Sequence, residues 1–390
     1  MSSNAILPGE PSRQSDNPAA GSAGSSTRDS AGGSQLLATI ANPRSRFHHD
    51  RVRLDEKTVK IDRAVDALLE AAVVPSFTRI GFAVRSRLES WPPAPDTRLD
   101  GRVVVVTGAT SGLGKAAAAA LARAGATVEV IGRDADKLDA TRLELTALAP
   151  QSGIETVTAD LSDLAAVRRA AEEIGERHSS IHAVIHNAGA LSSTYEVTRE
   201  GIEKTFAAHV IGPFLLSALL CEPLRVARPG RIIWVASGGM YTEPLSTARL
   251  EVGANGYRGT TVYARAKRAQ VTLSEMMAAR VDPQEIVVHA MHPGWALTPG
   301  VESSLPRFRM VTGPLLRDAA QGADTMIWLA TDDGMPVAST GRFWLDRRPR
   351  SIHRLRSTRA ADTAQEREAL WSYVVQHAGV DFRPGQGPVG

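Results

Sequence analysis

Cysteine is nearly absent from this sequence: Cys221 is the single one in 390 residues. A lone thiol cannot close an intramolecular disulfide, which excludes a disulfide-stapled secreted scaffold and redox chemistry by a cysteine pair. We therefore expect a cytoplasmic protein in a reducing environment. The first thirty residues have no apolar run behind a basic start, and no charge-free run of eighteen apolar residues occurs. Neither a secretory signal nor a membrane-spanning helix is predicted.

Lysine is also scarce. Only six of the 45 basic residues are lysines, and the formal net charge is +3. A balance this weak argues against a nucleic-acid partner, because such proteins need basic residues clustered on one face. Arginine is the default cation here, so a lysine at a chemically meaningful spacing is informative. Lysine changes its pKa readily when it is buried, and arginine does not.

The N-terminal part predicts two segments outside the main domain. Residues 1–50 begin with a stretch rich in Ser, Gly, Ala and Pro and are predicted to form a disordered tail. Residues 51–97 are predicted to form a helical extension and linker, since apolar side chains recur at helical spacing on both sides of Pro75, with arginines between them. This extension could make a peripheral membrane contact, or it could pack on the main domain with its arginines in solvent.

From Val103 onwards, short β-branched runs alternate with longer helical stretches. Near-continuous apolar strands alternating with helices indicate a parallel sheet covered on both faces. We therefore predict a single α/β domain over residues 98–378, a Rossmann-type doubly wound parallel sheet, followed by a C-terminal tail at residues 379–390. Its predicted strands run from Val103 to Thr107, Thr127 to Ile131, Glu155 to Thr158, Ala183 to Ile185, Arg231 to Ala236 and Ile286 to Met291.

A glycine-rich turn follows the first predicted strand and precedes an alanine-rich helix. Glycines there let the backbone turn tightly and approach a pyrophosphate, which the helix N-terminus would hold with free N–H groups and its positive dipole end. A plain turn has the same composition, but the order strand, turn, helix favours dinucleotide binding. The predicted contact residues are Thr107, Gly108, Ser111, Gly112, Leu113 and Gly114.

The second predicted strand ends at Gly132-Arg133-Asp134. An acidic residue at such a strand end takes the ribose 2′-hydroxyl of NAD, whereas an arginine suits the 2′-phosphate of NADP. Arg133 therefore favours NADP, and Asp134, one position later, leaves NAD open. The structural alternative for Arg133 is a solvated cation at a loop start.

Tyr263 and Lys267 lie four residues apart in a predicted helix, which places both side chains on one face. Ser237 ends an inner strand, and strand carboxyl ends line the ligand crevice in this architecture. Together the three could move a proton opposite a hydride: Tyr263 as general acid in carbonyl reduction, Lys267 lowering the pKa of Tyr263, and Ser237 holding the carbonyl oxygen. The alternative for the pair is a solvated helix face.

Three further blocks follow in the same order: Asp160-Leu161, Asn187-Ala188-Gly189 and Pro293-Gly294 with Thr298. Together with the motifs above, they resemble the short-chain dehydrogenase/reductase family over nearly all of residues 100–345. The resemblance implies an NAD(P)-dependent oxidoreductase that interconverts a carbonyl and an alcohol. It further implies that Asp160 contacts adenine, that Asn187, Gly189 and Lys267 hold the nicotinamide ribose, that Gly294 and Thr298 meet the nicotinamide carboxamide, and that Leu161, Ala188 and Pro293 complete the cofactor-binding blocks.

One departure from the family concerns catalysis. The helix asparagine that holds a water between the lysine and solvent falls on His209, which joins Ser237, Tyr263 and Lys267 in the implied catalytic set. Imidazole can donate to or accept from that water, so His209 could complete a relay, or it could be a buried, merely hydrogen-bonded histidine. In the second case the chain would be a catalytically weakened, NADP-binding sensor or interaction protein. The other histidines show no grouping with acidic or cysteine partners at ligand spacing, so no catalytic metal is predicted.

Two loops, residues 238–259 and 295–316, follow the fifth and sixth predicted strands and are expected to contact a small-molecule substrate. The second contains large apolar side chains, from Trp295 to Val311. These favour a lipophilic substrate, or they simply pack the loop against the fold. The last predicted helix, from Ala364 to Val375, could cover the main domain or contribute to a homo-oligomer.

Overall fold

The computed structural model describes residues 56–250, 252–297 and 313–383. The predicted disordered tail, Thr298 and the apolar side chains from residue 298 to 311 lie outside the described residues. The described residues belong to one compact unit that begins at Glu56.

One sheet organises the fold. Its strands are β1 (Val103–Thr107), β2 (Thr127–Gly132), β3 (Ile154–Thr158), β4 (Ala183–His186), β5 (Gly230–Val235), β6 (Ile286–Met291), β7 (Arg342–Leu345) and β8 (Arg348–Pro349). Their order is β3-β2-β1-β4-β5-β6-β7-β8, and only β7 and β8 pair antiparallel. The predicted α/β, doubly wound parallel sheet is confirmed, and its first six strands lie within one residue of the predicted bounds. Neither β7 nor β8 was predicted, because strands of four and two residues are too short to show a periodic or near-continuous apolar pattern.

Helices cover both faces of the sheet. Side chains of β1 alternate between two cores, since Val105 packs in one and Val104 and Val106 in the other. The helices are α1 (Glu56–Ala71), α2 (Val73–Phe77), α3 (Arg79–Leu88), α4 (Gly112–Arg123), α5 (Ala135–Leu148), α6 (Leu164–Arg177), α7 (Lys204–Phe206), α8 (Gly212–Leu219), α9 (Cys221–Ala227), α10 (Gly259–Ala278), α11 (Ala319–Thr331), α12 (Arg356–Ala360) and α13 (Ala364–Ala378). The first core also takes side chains from α6, α8, α10 and α13, and the second from α4, α5 and α11.

The helical extension packs on the sheet domain. The extension consists of α1, α2 and α3, which are separated at Ala72 and Thr78, and Pro75 lies inside α2. Phe77 belongs to the larger core at 3% exposure. The expectation that a packed extension would keep its arginines in solvent is wrong for Arg85, which is 1% exposed and forms ion pairs with Asp66 and Asp346. A periodic apolar stripe does not reveal a buried cation, because it records only the spacing of apolar side chains and not that Asp66 of α1 and Asp346 after β7 fold against Arg85.

No single described helix combines the length and apolar composition needed to cross a membrane. The helical stretches Lys204–Leu219 and Cys221–Ala227 meet these criteria only when taken together, across a 61° bend. Within this pair, Phe214, Leu215 and Leu216 are buried in the first core.

Candidate active site

A cleft of about 1170 Å³ opens at the carboxyl ends of the central strands. The strand order reverses between β1 and β4, and ligands bind at such a switch point in open α/β sheets. Thr107 and Gly114 lie behind the cleft lining, and Thr298 lies outside the described residues. The other predicted site residues all line the cleft: Gly108, Ser111, Gly112, Leu113, Arg133, Asp160, Leu161, Asn187, Ala188, Gly189, His209, Ser237, Tyr263, Lys267, Pro293 and Gly294.

The glycine-rich turn closes over the start of α4. Gly108 and Gly112 have φ values of +67° and +55°, which glycine adopts without strain. A Cβ on Gly114 would overlap the side-chain amide of Asn187 and lie 2.5 Å from the carbonyl oxygen of Gly108. The Ser111 side chain does not cap α4. The first N–H groups of this helix therefore face the cleft without a side-chain partner, an arrangement that suits a phosphate.

Thr107 and Asn187 brace this turn against the loop after β4. The amide nitrogen of Asn187 donates to the carbonyl oxygens of Thr107 (3.1 Å) and Gly108 (3.2 Å). The hydroxyl of Thr107 accepts from the N–H of Ala188 at 3.0 Å. Thr107 and Gly114 thus lie close to the cofactor loop as supports, although neither lines the cleft.

Three cations line one end of the cleft, called the outer end from here on: Arg133, Lys137 and Lys204. The carboxylate of Asp134 accepts the N–H of Lys137 at 3.1 Å and so caps α5, which lowers the pKa of Asp134. Lys204 donates to Glu196 at 2.7 Å. Neither Lys137 nor Lys204 was predicted to line the cleft. The available signal was lysine scarcity, since Lys137, Lys204 and Lys267 make half of the six lysines.

The opposite end of the cleft, called the inner end from here on, brings together Ser237, Tyr263 and Lys267. The Lys267 ammonium lies 5.4 Å from the centre of the Tyr263 ring and donates to the carbonyl oxygen of Val235 at 2.8 Å. Burial lowers the pKa of Lys267 to about 7. Burial raises the pKa of Tyr263, and its hydrogen bond with Ser237 opposes this shift. The predicted solvated helix face is therefore wrong for this pair.

His209 lies beside the same pair, in the π-helical turn Ala207–Ile211. Its ring packs edge-to-face on Tyr263, with 5.5 Å between ring centres. Its Nε2 accepts the N–H of Ala190 at 3.0 Å. Burial, helped by the charge of Lys267, holds the pKa of His209 well below its usual range. The neutral ring thus carries its proton on Nδ1, which is buried and has no partner among the described residues.

Pro293 and Gly294 follow β6 and close the inner end. Gly294 has a φ of +75°, and a Cβ there would overlap Nε of Arg317 and lie 2.7 Å from its Cδ. The N–H of Gly294 donates to Nδ1 of His292 at 3.1 Å. Arg317 donates to the carbonyl oxygen of Pro293 at 3.3 Å. Arg317 belongs to no motif, and sequence reasoning missed it.

The cleft fits a dinucleotide along its whole length. A glycine cradle and an uncapped helix N-terminus suit the pyrophosphate, cations lie at one end, and a Tyr–Lys pair lies at the other. Fold and site together define a dinucleotide-binding oxidoreductase of the doubly wound α/β class.

The family model for short chain dehydrogenase matches residues 102–307. The chain belongs to the short-chain dehydrogenase/reductase family and is an oxidoreductase, which confirms the resemblance seen in the sequence motifs.

Individual relatives support the same assignment. The chain is 38% identical over 275 residues to dehydrogenase/reductase SDR family member 12 of Homo sapiens, an alignment that covers 70% of this chain and 86% of that protein. It is 30% identical over 288 residues to retinol dehydrogenase 12 of Homo sapiens, covering 73% and 89% of the two chains. Among solved structures, the Pseudomonas aeruginosa RhlG/NADP complex is similar with a TM-score of 0.52 and 25% identity, covering 63% of this chain and 94% of that one.

Proposed function

We propose that this oxidoreductase interconverts a carbonyl and an alcohol on a lipophilic small molecule, with NADP as preferred cofactor. The observation that carries the proposal is the convergence of Ser237, Tyr263 and Lys267 at the inner end of a cleft whose other end carries three cations.

The side chains have distinct roles in this proposal. NADP, when bound in the cleft, would supply the hydride-transfer chemistry. In carbonyl reduction, the Tyr263 phenol would give its proton to the carbonyl oxygen. Lys267 in its ammonium form stabilises the resulting phenolate, and Ser237 donates a hydrogen bond to the substrate oxygen.

The NADP preference is supported by the outer end of the cleft. Arg133 directly follows β2, and Lys137 and Lys204 line the same end of the cleft. Asp134, the residue that left NAD open, already accepts a helix N–H and lies 3.2 Å from the Lys137 ammonium. A 2′-phosphate would find cations here, whereas a ribose 2′-hydroxyl would find no uncommitted carboxylate at the strand end.

A lipophilic substrate is supported by Trp295 and Leu191, which line the cleft. It is also supported by the similarity to retinol dehydrogenase 12, whose name specifies an apolar alcohol.

A screen of aldehydes, ketones and secondary alcohols of increasing alkyl length, each with NADPH/NADP and with NADH/NAD, tests the proposal. We expect turnover that rises with alkyl length and falls about 10³-fold in Tyr263→Phe, the range for loss of a general acid. Tyr241→Phe is the matched control, because its hydroxyl donates to the carbonyl oxygen of Ser351 and does not line the cleft. A wild-type turnover that Tyr263→Phe leaves unchanged would contradict the proposed chemistry.

His209 favours a second candidate, a cofactor-binding sensor or interaction protein with weakened catalysis. The ring occupies its acceptor nitrogen with Ala190 and offers only an N–H at Nδ1, so it cannot accept a proton from a neighbouring water while neutral. NADPH binding without Tyr263-dependent turnover on any substrate, with turnover appearing in His209→Asn, would favour this candidate.

A further inference from the structure

Phe77, the last residue of α2, lies between the ends of β5 and β6. Its ring packs edge-to-face on His292 and Trp295, with 4.6 Å and 5.8 Å between ring centres. A Cβ placed on Gly238 would lie 3.4 Å from Cε2 of Phe77. Gly238 follows Ser237 directly. One side chain from the extension therefore packs on the loop after β6 and lies beside the residue that follows Ser237.

The backbone of Phe77 reinforces this contact. Its carbonyl oxygen accepts the N–H of Trp295 at 2.6 Å. The backbone N–H of Arg317 in turn donates to the carbonyl oxygen of Trp295 at 2.8 Å. Trp295 and Pro293 line the cleft, whereas Phe77 lies behind them. The extension thus reaches the reactive end of the cleft through one intervening layer.

A buried guanidinium fixes the chain on both sides of Phe77. Arg317 donates to the carbonyl oxygens of Ser76 (3.2 Å), Thr78 (3.2 Å) and Pro293 (3.3 Å). It also donates to the Asp346 carboxylate at 2.5 Å and 2.8 Å. The side chains of Arg317 and Asp346 are 1% and 0% exposed. Such a desolvated, fully paired cluster has one low-energy geometry, so it locks α2 to the loop after β6.

Arg85 completes the cluster from α3. It donates to Asp346 at 2.6 Å, to Asp66 at 2.7 Å and to the carbonyl oxygen of Ser76 at 3.1 Å. The outer end of the cleft has no comparable link to the extension among the described contacts. Its glycine-rich turn is braced by Thr107 and Asn187.

We infer that Phe77 is a positioning residue for the nicotinamide half of the cofactor. It holds the Pro293-Gly294-Trp295 segment and the Ser237 turn in register, while the adenosine half of the cleft is organised without it. The inference rests on the proposed dinucleotide function and adds to it a role for the N-terminal extension.

Two ligands separate the halves of the cleft. NADPH occupies both, and 2′,5′-ADP probes the adenosine half alone. Isothermal titration of the full chain with each ligand gives a ratio of affinities, and the fluorescence of bound NADPH reports the surroundings of its nicotinamide. In Phe77→Ala we expect NADPH affinity to fall about tenfold, a change of about 1.4 kcal/mol. The affinity for 2′,5′-ADP stays within about twofold, and the NADPH fluorescence shifts towards that of free cofactor.

Phe382→Ala is the matched control. Phe382 is also fully buried, packs on Phe214 with 6.3 Å between ring centres, and does not line the cleft. We expect it to lower the melting temperature without changing the ratio of the two affinities. Phe77→Leu keeps most of the apolar volume and provides the same comparison if Phe77→Ala fails to fold.

An unchanged affinity ratio in the folded Phe77 variant would overturn the inference and leave Phe77 as ordinary core packing. A parallel loss of both ligands, matched by Phe382→Ala, would overturn it as well. Wild-type protein that binds neither ligand would instead refute the proposed NADP function, and the two failures are thereby distinguishable.

Discussion

The two ends of the cleft are built in different ways. The outer end comes mostly from one stretch of chain, β1 to the start of α5, which supplies a glycine-rich turn, an uncapped helix, Arg133 and Lys137; Lys204 is added from α7. The inner end joins residues as distant as Phe77, Ser237, Gly294 and Asp346, and the supporting side chains of Phe77 and Asp346 are buried. The outer end is suited to a dinucleotide by local backbone geometry and solvated charge. The geometry of the inner end depends on long-range packing and on desolvated charge.

The largest expected effect comes from removing the carboxylate that holds the inner end. Asp346→Asn leaves Arg85 and Arg317 buried without their shared partner. Breaking a buried pair costs about 3–5 kcal/mol in free energy of unfolding, because the remaining charge stays desolvated. Urea denaturation measures the loss. Asp100→Asn, in the exposed pair with Arg98, is the control and should leave stability unchanged. Similar losses in both variants would erase the contrast between buried and solvated charge.

Lys267 gives the next largest effect, as a dependence of stability on pH. Its folded pKa of about 7 lies below the unfolded value of 10.5. The unfolded chain therefore binds more protons between these values, so the burial penalty is complete below pH 7 and disappears as the pH rises to 10.5. Lys267→Met should be more stable than wild type at pH 6.5, and this advantage should shrink by about 1.4 kcal/mol per pH unit above pH 7.

Urea denaturation at pH 6.5, 8 and 9.5 checks this slope. Lys137→Met is the matched control, because the Lys137 side chain is 70% exposed and should give a flat difference. A flat difference for Lys267→Met as well would show that the Lys267 ammonium is not desolvated.

A smaller effect is expected from filling the close contact between α4 and the glycine-rich turn at the outer end. Gly114→Ala inserts a methyl group against Asn187 and the Gly108 carbonyl, which we expect to cost about 1–3 kcal/mol in free energy of unfolding and to weaken NADPH binding. Gly175→Ala, in α6, meets open space and should stabilise the helix by up to about 1 kcal/mol. Thermal denaturation and NADPH titration compare the two. Unimpaired NADPH binding in Gly114→Ala would show that cofactor binding does not require the close packing of α4 against Asn187 and Gly108.

The smallest expected effect concerns cofactor choice. Arg133→Ala should weaken NADPH binding by about tenfold and leave NADH affinity nearly unchanged. A hydrogen bond to a charged group contributes about 1.5–3 kcal/mol, and the lower end applies because Arg133 is exposed. Arg123→Ala, at the far end of α4, is the control because it does not line the cleft. Equal losses for NADPH and NADH in Arg133→Ala would contradict a 2′-phosphate contact.

Sequence patterns predicted the sheet and most of the lining because these depend on local signals. Apolar runs and turns located six strands within one residue, and the family motifs placed Ser237, Tyr263 and Lys267 in the cleft where the structure finds them. The same patterns left the extension ambiguous between membrane contact and packing, because an amphipathic stripe suits either surface.

The sequence by itself determined the doubly wound sheet, the glycine-rich turn and the Tyr–Lys spacing, since each is a short-range pattern with its own physical cause. Only the tertiary structure decided that Phe77 lies behind the reactive end, that Asp346 pairs with Arg85 from 261 residues away, and that His209 keeps its proton on Nδ1. Contacts between residues so distant leave no periodic trace in a single sequence, because their partners are selected by how the elements pack and which charges lose water together.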